Sequence, residues 1–375
     1  MNQSNQDSIL EHKEHFHGSD LEKIEKVYGI SKDDIVSFSA NVNPLGLSTL
    51  MKNELAKHLD VLTSYPDREY TKLRESIADY VNTAAGNVVV GNGSTELISL
   101  FIKFSMPKHA LILGPTYSEY QHEVELCGGK SEYFRLREEA DFEPDTDELI
   151  SSLDAGYDLL VLCNPNNPTS SAFTALQLGR ILDKCRQLGI FVIIDETYVE
   201  FSERYDEINA IPLTHNYDNL VVLRGISKFF AAPGLRLGYA VTSSTKIRQQ
   251  VIDIQNAWSI NSLAEAAGKL MFSDAAYIAA TKELIFTERE HMTRELSAID
   301  GLKVYPADAN FILIRILKDG IDADLMFDEA IKEGMMIRNC ASFEYLDNSY
   351  FRVCVMSPED NERLLKCIKR VMGKN

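Results

Sequence analysis

The feature that most constrains the fold of this chain of 375 residues is an alternation of short apolar runs with amphipathic stretches through its middle. Ala110–Gly114 (ALILG), Asp158–Cys163 (DLLVLC), Phe191–Asp195 (FVIID), Asn219–Arg224 (NLVVLR) and Tyr239–Thr242 read as buried strands. Between them, Thr95–Phe104 and Thr174–Leu188 carry helical spacing. Short apolar strands alternating with helices predict an α/β unit with a doubly wound, mostly parallel sheet covered on both faces. Active groups in such sheets collect at the carboxyl ends of the strands.

From about Lys282 the pattern changes. A long helix runs toward Ser297, strands follow near Phe311–Ile314 and Tyr350–Val355, and helical stretches sit at Asp322–Glu333 and Pro358–Met372. That is an α+β unit, and the length of the chain is enough for two packed cores. The expected division is a large unit over residues 46–284 and a smaller one made of 1–45 and 285–375, with the Asp20–Tyr28 helix packing on the latter. No Pro/Gly/Ser-rich linker separates them, so the two are expected to be tightly joined.

The formal net charge of −18 argues against a nucleic-acid partner, which would demand clustered Lys and Arg. It also means that any phosphate site must be built locally, from a few cations and backbone N–H groups. The six cysteines show no C-x-x-C pair or metal-ligand spacing, so reduced thiols in a cytoplasmic protein are expected. Met1–Asp20 is polar, no apolar stretch reaches the ~18 residues of a membrane span, and neither leader nor span is expected.

Chemistry enters with Lys228, in RGISKFFAAPGLRLGY. A lone lysine after a strand is most often solvated. Here it follows NLVVLR in an apolar, Gly-rich setting, where desolvation and a nearby cation lower an amine's pKa and make it a nucleophile. Eight residues on, Arg236 stands in the otherwise apolar PGLRLGY, a costly place for a guanidinium without an anion to hold. A lysine that forms an imine beside an arginine that holds a phosphate is what pyridoxal 5'-phosphate (PLP) requires. Asp195 ends FVIIDE, either as a cap after the strand or as the carboxylate that pairs with a protonated pyridine nitrogen. Tyr198 and, in the turn-rich CNPNNPT, Asn167 are candidate partners of the ring's phenolic oxygen. GNGSTE (Gly91–Glu96) opens a helix; it is a plain cap, or Gly93 lets the backbone approach an anion cradled by the N–H groups of Ser94 and Thr95. Tyr117 in GPTYSEY is placed to stack on a ring, or to pack in the core. Arg338 in MMIRN and Arg352 in YFRVCV each want an anion, so together they suit one phosphate and one carboxylate, unless one is a structural ion pair.

The order GNGSTE, PTYSEY, NPNNPT, DETY, SK, GLRLGY and YFRV resembles the fold-type-I, aspartate-aminotransferase-like PLP enzymes across nearly the whole chain. The resemblance implies Lys228 as Schiff-base lysine, Asp195 at the ring nitrogen, and Tyr198 and Asn167 at the ring oxygen. It implies phosphate contacts from Ser94, Thr95, Ser227 and Arg236, stacking by Tyr117, and Arg352 on the substrate carboxylate. It also implies a homodimer, with Tyr65 of YPD reaching the neighbouring subunit's cofactor phosphate. The sequence departs from that pattern at Gly225, where the family usually has a hydroxyl residue three before the lysine, and at Ser170, where it usually has Gly.

Within that family, HGSD (His17–Asp20), FSANVNPLG (Phe38–Gly46), WSINSLA (Trp258–Ala264) and IRNCASFEYLDNSYFRV (Ile337–Val353) resemble the threonine-phosphate decarboxylases of cobalamin synthesis. That likeness implies a phosphorylated amino acid as substrate, with His17, Asn43, Asn167, Arg338 and Arg352 around it. Tyr198 leans toward the neighbouring histidinol-phosphate aminotransferases, which are the alternative. A PLP-sensing regulator is disfavoured, because SANVNPLG begins by residue 39 and the charge is acidic.

Overall fold

The computed structural model describes Phe16 and residues 20–373. The chain enters through the helix Leu21–Tyr28 and a two-residue strand, β1 (Val36–Ser37). The strands β2 (Val88–Gly91), β3 (His109–Gly114), β4 (Lys130–Arg135), β5 (Leu159–Cys163), β6 (Phe191–Asp195), β7 (Leu220–Gly225) and β8 (Gly238–Val241) then form one sheet, in the order β2-β8-β7-β6-β5-β3-β4. The pairs β3–β4, β3–β5, β5–β6 and β6–β7 are parallel. Every residue of β5, β6 and β7 is buried, as their mostly apolar runs, broken by a charge only toward the carboxyl end at Asp195 and Arg224, require of strands covered on both faces.

Tyr239–Thr242, expected as a buried strand of a mostly parallel sheet, corresponds to β8 in the antiparallel part of that sheet. β8 runs antiparallel to β7, and β2 antiparallel to β8. The connection from β7 to β8 carries only the single tight turn Pro233–Leu235. A parallel return needs a crossover, usually helical, and without one the strand comes back beside its predecessor in the opposite sense. This return loop is the segment that carries Lys228 and Arg236.

The helices follow local chemistry closely. Ala175–Leu188 starts at Thr174, whose hydroxyl accepts from the Gln177 N–H while the Gln177 side chain accepts from the Thr174 N–H, and it stops at Gly189 with φ of 74°. Gly93–Ser105 follows β2 directly; no side chain caps its first turn, so those N–H groups are free for another acceptor.

The C-terminal part builds a second, antiparallel sheet. Its strands are β9 (Leu302–Val304), β10 (Phe311–Ile316), β12 (Arg338–Asn339) and β13 (Tyr350–Cys354), in the order β12-β13-β10-β9, while β11 (Met335–Met336) pairs in parallel with β1. The helix Leu21–Tyr28 does pack on this part: Tyr28 Oη donates to Asp328 Oδ1 at 3.1 Å, and its ring lies 6.1 Å from that of Phe327. All six cysteines are unpaired, and five of them are buried. Among the described residues no helix is long and apolar enough to cross a membrane.

Candidate active site

The carboxyl ends of β3, β5, β6 and β7 open on a cleft of about 370 Å³. Of the residues expected around a cofactor, Ser94, Thr95, Tyr117, Asn167, Asp195, Tyr198, Ser227, Lys228 and Arg236 all line it, together with Arg338 and Arg352.

Lys228 sits three residues past the end of β7, and its Nζ donates to the Ala40 carbonyl at 2.7 Å. Burial, helped by the positive charge of Arg352, pushes its ammonium down to about 8. That raises the neutral fraction of the amine at mildly alkaline pH, the form a nucleophile needs.

Asp195 closes β6 and is 4% exposed. Its Oδ1 accepts from the Thr197 N–H at 2.9 Å and the Thr197 hydroxyl at 2.6 Å; its Oδ2 accepts from the Tyr120 hydroxyl at 2.8 Å. Burial raises the carboxyl above its usual range while these donors pull it back. Tyr198 is buried behind it, edge-on to Phe311, and its phenol oxygen accepts from Asn41 Nδ2 at 3.4 Å. Burial pushes the Tyr198 phenol up, and the Tyr117 phenol up to about 12.

At the other end of the cleft the first turn of Gly93–Ser105 meets Arg236. The guanidinium reaches only the Pro233 and Asn92 carbonyls, at 3.3 and 3.4 Å, and makes no ion pair among the described residues. Gly93 is held at φ of 82°, and a Cβ there would stand 2.8 Å from Arg236 Cζ. A Cβ at Gly238 would stand 2.6 Å from Ser94 N. Two glycines thus let a guanidinium and an open helix terminus meet, a cradle for an anion such as phosphate. At Gly225, by contrast, a Cβ would meet Ser94 Cβ at an ordinary 3.6 Å, so packing does not demand the missing side chain.

Arg338 and Arg352 form the remaining wall. The register of β12 and β13 sets them directly opposite each other, 8% and 4% exposed. Arg352 donates to the Asn167 side-chain carbonyl and, at 2.7 Å, to the Ser39 carbonyl, and its Nε has no partner. Arg338 donates to the Phe16 carbonyl and, at 2.8 Å, to Ser342 Oγ. Neither makes an ion pair with a carboxylate among the described residues.

One expected residue is corrected. Asn43 does not line the cleft: its amide is used inside the fold, donating to Phe229 O, Tyr277 Oη and Thr281 Oγ1 at 2.8–2.9 Å, while its oxygen caps Leu45 N. Tyr65 is 80% exposed, its ring 4.8 Å from that of Trp258, and lies outside the cleft of its own chain. His17 lies outside the described residues. Sequence reading passed over Tyr120, Thr197, Ala40 and Asn41, although each lies in a segment already singled out. Asn41 has φ of 55°, a left-handed conformation that Asn tolerates better than most residues but that leaves no mark in the sequence pattern.

An amine with a lowered pKa, a buried carboxylate across from it, a flanking tyrosine ring and an anion cradle fit a planar, phosphate-bearing aldehyde with a ring nitrogen. The unpaired Arg236 and the space left by Gly93 are the observations that carry this fit.

Residues 33–368 match the family described as aminotransferase class I and II. The threonine-phosphate decarboxylase of Salmonella typhimurium is 35% identical over 356 residues, which is 95% of this chain and 96% of that one. The histidinol-phosphate aminotransferase of Clostridium acetobutylicum has a crystal structure that superposes with a TM-score of 0.83 at 31% identity, covering 89% of this chain and 98% of that chain. The histidinol-phosphate aminotransferase of Sinorhizobium meliloti, solved in complex with pyridoxal-5'-phosphate, superposes with a TM-score of 0.82 at 20% identity, over 94% of each chain; that likeness is one of fold.

Proposed function

The chain belongs to the aminotransferase class I and II family, and within it we propose a PLP-dependent decarboxylase of a phosphorylated amino acid. The substrate we assign first is L-threonine O-3-phosphate, converted to (R)-1-amino-2-propanol O-2-phosphate for cobamide synthesis, with L-serine phosphate as the second candidate. The observation that carries this reading is the cross-strand pair Arg338 and Arg352, two buried arginines at opposed register positions without a carboxylate partner among the described residues. Like charges directly opposite on a sheet are unfavourable, and a doubly anionic ligand relieves them. A phospho-amino acid brings one phosphate and one carboxylate to such a pair. Histidinol phosphate, the substrate of the alternative aminotransferase, brings no carboxylate of its own, but the 2-oxoglutarate that enzyme also needs does, so turnover without a keto acid is what separates the two readings.

In this reading Lys228 holds the cofactor, Asp195 faces its ring nitrogen, and Tyr198 and Asn167 face its phenolic oxygen. Tyr117 stacks on it, while Gly93, Ser94, Thr95, Ser227 and Arg236 hold its phosphate. Bound PLP supplies an electron sink for the pair left when a bond at the substrate α-carbon breaks. Arg352 grips the carboxylate and Arg338 the phosphate, with His17 alongside it, and together they set which bond at that carbon is aligned to break. When the carbon–carboxylate bond breaks and CO2 leaves, Lys228 Nζ delivers the proton to the α-carbon as general acid. Were the C–H bond aligned instead, Lys228 would remove that proton and transamination would follow.

The same proposal includes a homodimer in the cytoplasm and the division of the chain at residues 46 and 284. The dimer is supported by an exposed apolar patch of Leu59, Leu62, Tyr65 and Trp258, which are 55%, 59%, 80% and 43% exposed.

The test uses the purified, PLP-loaded protein with L-threonine phosphate and no keto acid. Release of CO2 and an amine phosphate over many turnovers is expected. No CO2, together with turnover of histidinol phosphate once 2-oxoglutarate is added, would refute the decarboxylase.

A further inference from the structure

Asp195 is a buried carboxylate at the cleft wall with no ion pair to lysine or arginine among the described residues. The titratable groups that face it are Tyr117 and Tyr120 from the segment after β3, Cys163 from the end of β5, and Glu196 and Tyr198 beside it in sequence. None is a cation, so hydrogen bonds must do what a counter-charge does elsewhere. Two of its three donors come from Thr197 and reach the same oxygen, Oδ1. A turn two residues long fixes that oxygen and leaves the other free to swing. The other, Oδ2, is held by Tyr120, which lies 75 positions earlier in the chain on the helix Glu119–Leu126 and is 1% exposed.

We infer that Tyr120 is a positioning residue that fixes the Asp195 carboxylate against the cofactor ring, with Thr197 as the other half of the clamp. An ionised carboxylate only accepts, so the phenol donates, and burial keeps its proton in place. The three donors leave one of roughly four acceptor directions on Asp195 open, which is the one a protonated ring nitrogen takes. The Tyr120 ring also stands edge-on to Tyr117, centroids 5.7 Å apart, so one side chain braces both the carboxylate and the stacking ring. If Tyr120 were only core packing, Phe would replace it without effect, since only the hydroxyl is lost.

This inference rests on the assignment of Asp195 to the ring nitrogen, and the experiment separates the two. PLP-loaded Tyr120→Phe, Thr197→Val and Asp195→Asn proteins are titrated against pH by the visible absorbance of the bound cofactor, and their melting temperatures are recorded without cofactor. Loss of one hydrogen bond to a charged group makes Asp195 a stronger base, which draws the shared proton off the ring. A ring that keeps less of that proton withdraws less charge from the imine nitrogen on Lys228, and the visible titration midpoint of that imine is then expected to rise by about one pH unit, or about tenfold in proton affinity, in Tyr120→Phe. Thr197→Val moves it the same way, and Asp195→Asn moves it further. Thr197→Val carries the test if Tyr120→Phe does not fold. A midpoint unmoved by Tyr120→Phe but moved by Asp195→Asn overturns the clamp and leaves the Asp195 assignment standing. A midpoint unmoved by Asp195→Asn overturns both.

Discussion

Replacing Gly93 by Ala tests the anion cradle with a single methyl. The added Cβ would lie 2.8 Å from Arg236 Cζ, well inside van der Waals contact, and the residue would be held at φ of 82°. The backbone strain of a non-glycine residue there is about 1–2 kcal/mol. The steric conflict is resolved by the softer partner: Arg236 is a half-buried, flexible side chain held only by two carbonyls at 3.3 and 3.4 Å, so it swings away. The fold therefore loses only the strain, a fall in melting temperature of a few degrees for a chain of this size. The cofactor loses more, because a charge-assisted hydrogen bond from guanidinium to phosphate contributes about 1.5–3 kcal/mol. PLP affinity should drop about 10- to 150-fold, at ~1.4 kcal/mol per tenfold. The measurement is the dissociation constant of PLP on cofactor-free protein, with calorimetry on the same samples. Gly225→Ala is the control, since its Cβ meets nothing closer than 3.6 Å and should leave affinity within about twofold. Gly93→Ala binding PLP as tightly as the parent protein would show that Arg236 and the helix terminus do not hold the phosphate.

Three further outcomes follow from the same geometry. Because burial and Arg352 push the free Lys228 amine down to about 8, the rate at which cofactor-free protein takes up PLP should rise with pH through a midpoint near 8; stopped-flow absorbance showing no inflection below pH 10 contradicts this. Arg338→Leu removes one of two opposed cations, so the melting temperature should hold or rise while KM for L-threonine phosphate rises about tenfold or more; a destabilised protein with unchanged KM would mark Arg338 as structural. Glu200 shares the buried Arg224 with Glu196, which takes the closer contact at 2.7 Å against 3.9 Å, and burial pushes the Glu200 carboxyl up to about 7. Between its ordinary 4.5 and 7 the folded chain keeps a proton that the unfolded chain has lost, so stability falls as pH rises through that window, by up to about 3 kcal/mol. Glu200→Gln should flatten this fall in urea unfolding at pH 5 and pH 8, and equal falls in the two proteins would refute it.

What the sequence revealed of this fold tracks where one physical signal dominates. Buried central strands such as Phe191–Asp195 are apolar up to the last residue, Asp195, and are legible to the residue. The edge strand Lys130–Arg135 was not, because one side faces solvent and its KSEYFR reads as a surface segment. Val88–Gly91 is fully buried yet too short to separate from the helix it leads into. The sense of β8 is not legible from its residues because strand content says nothing of direction; the absence of an α-helix between Gly225 and Gly238 is the usable clue. In the site, the residues with unusual chemistry for their surroundings, Lys228, Arg236, Arg338 and Arg352, stood out as costly charges. Tyr120 and Thr197 did not, since a buried Tyr or Thr becomes informative only when its partner is known. Asn43 was misplaced for the complementary reason. A motif locates a segment in the site but not the direction of each side chain, and Asn43 points back to Tyr277 and Thr281.

The acidity of the chain and the anionic chemistry of its cleft are reconciled by range. Exposed charges more than ~8 Å apart are largely screened at physiological salt, so the net −18 is felt weakly inside a cleft. There Lys228, Arg236, Arg338 and Arg352 face the ligand space with Asp195 as the one buried carboxylate lining it among the described residues. Arg338, Arg352 and Asp195 are buried and Lys228 and Arg236 half-buried, which makes each interaction stronger and each missing partner more expensive than at the surface. Arg338 opposite Arg352, an Arg352 Nε without an acceptor, and Arg236 on two long carbonyl contacts are therefore destabilising features of the free protein. Each is relieved by an anion of the right geometry, so binding energy is drawn from strain that folding leaves in place. A neutral amine without a phosphate or carboxylate would relieve none of it, which makes discrimination among amines a property of the arginines rather than of the lysine that all amines can reach.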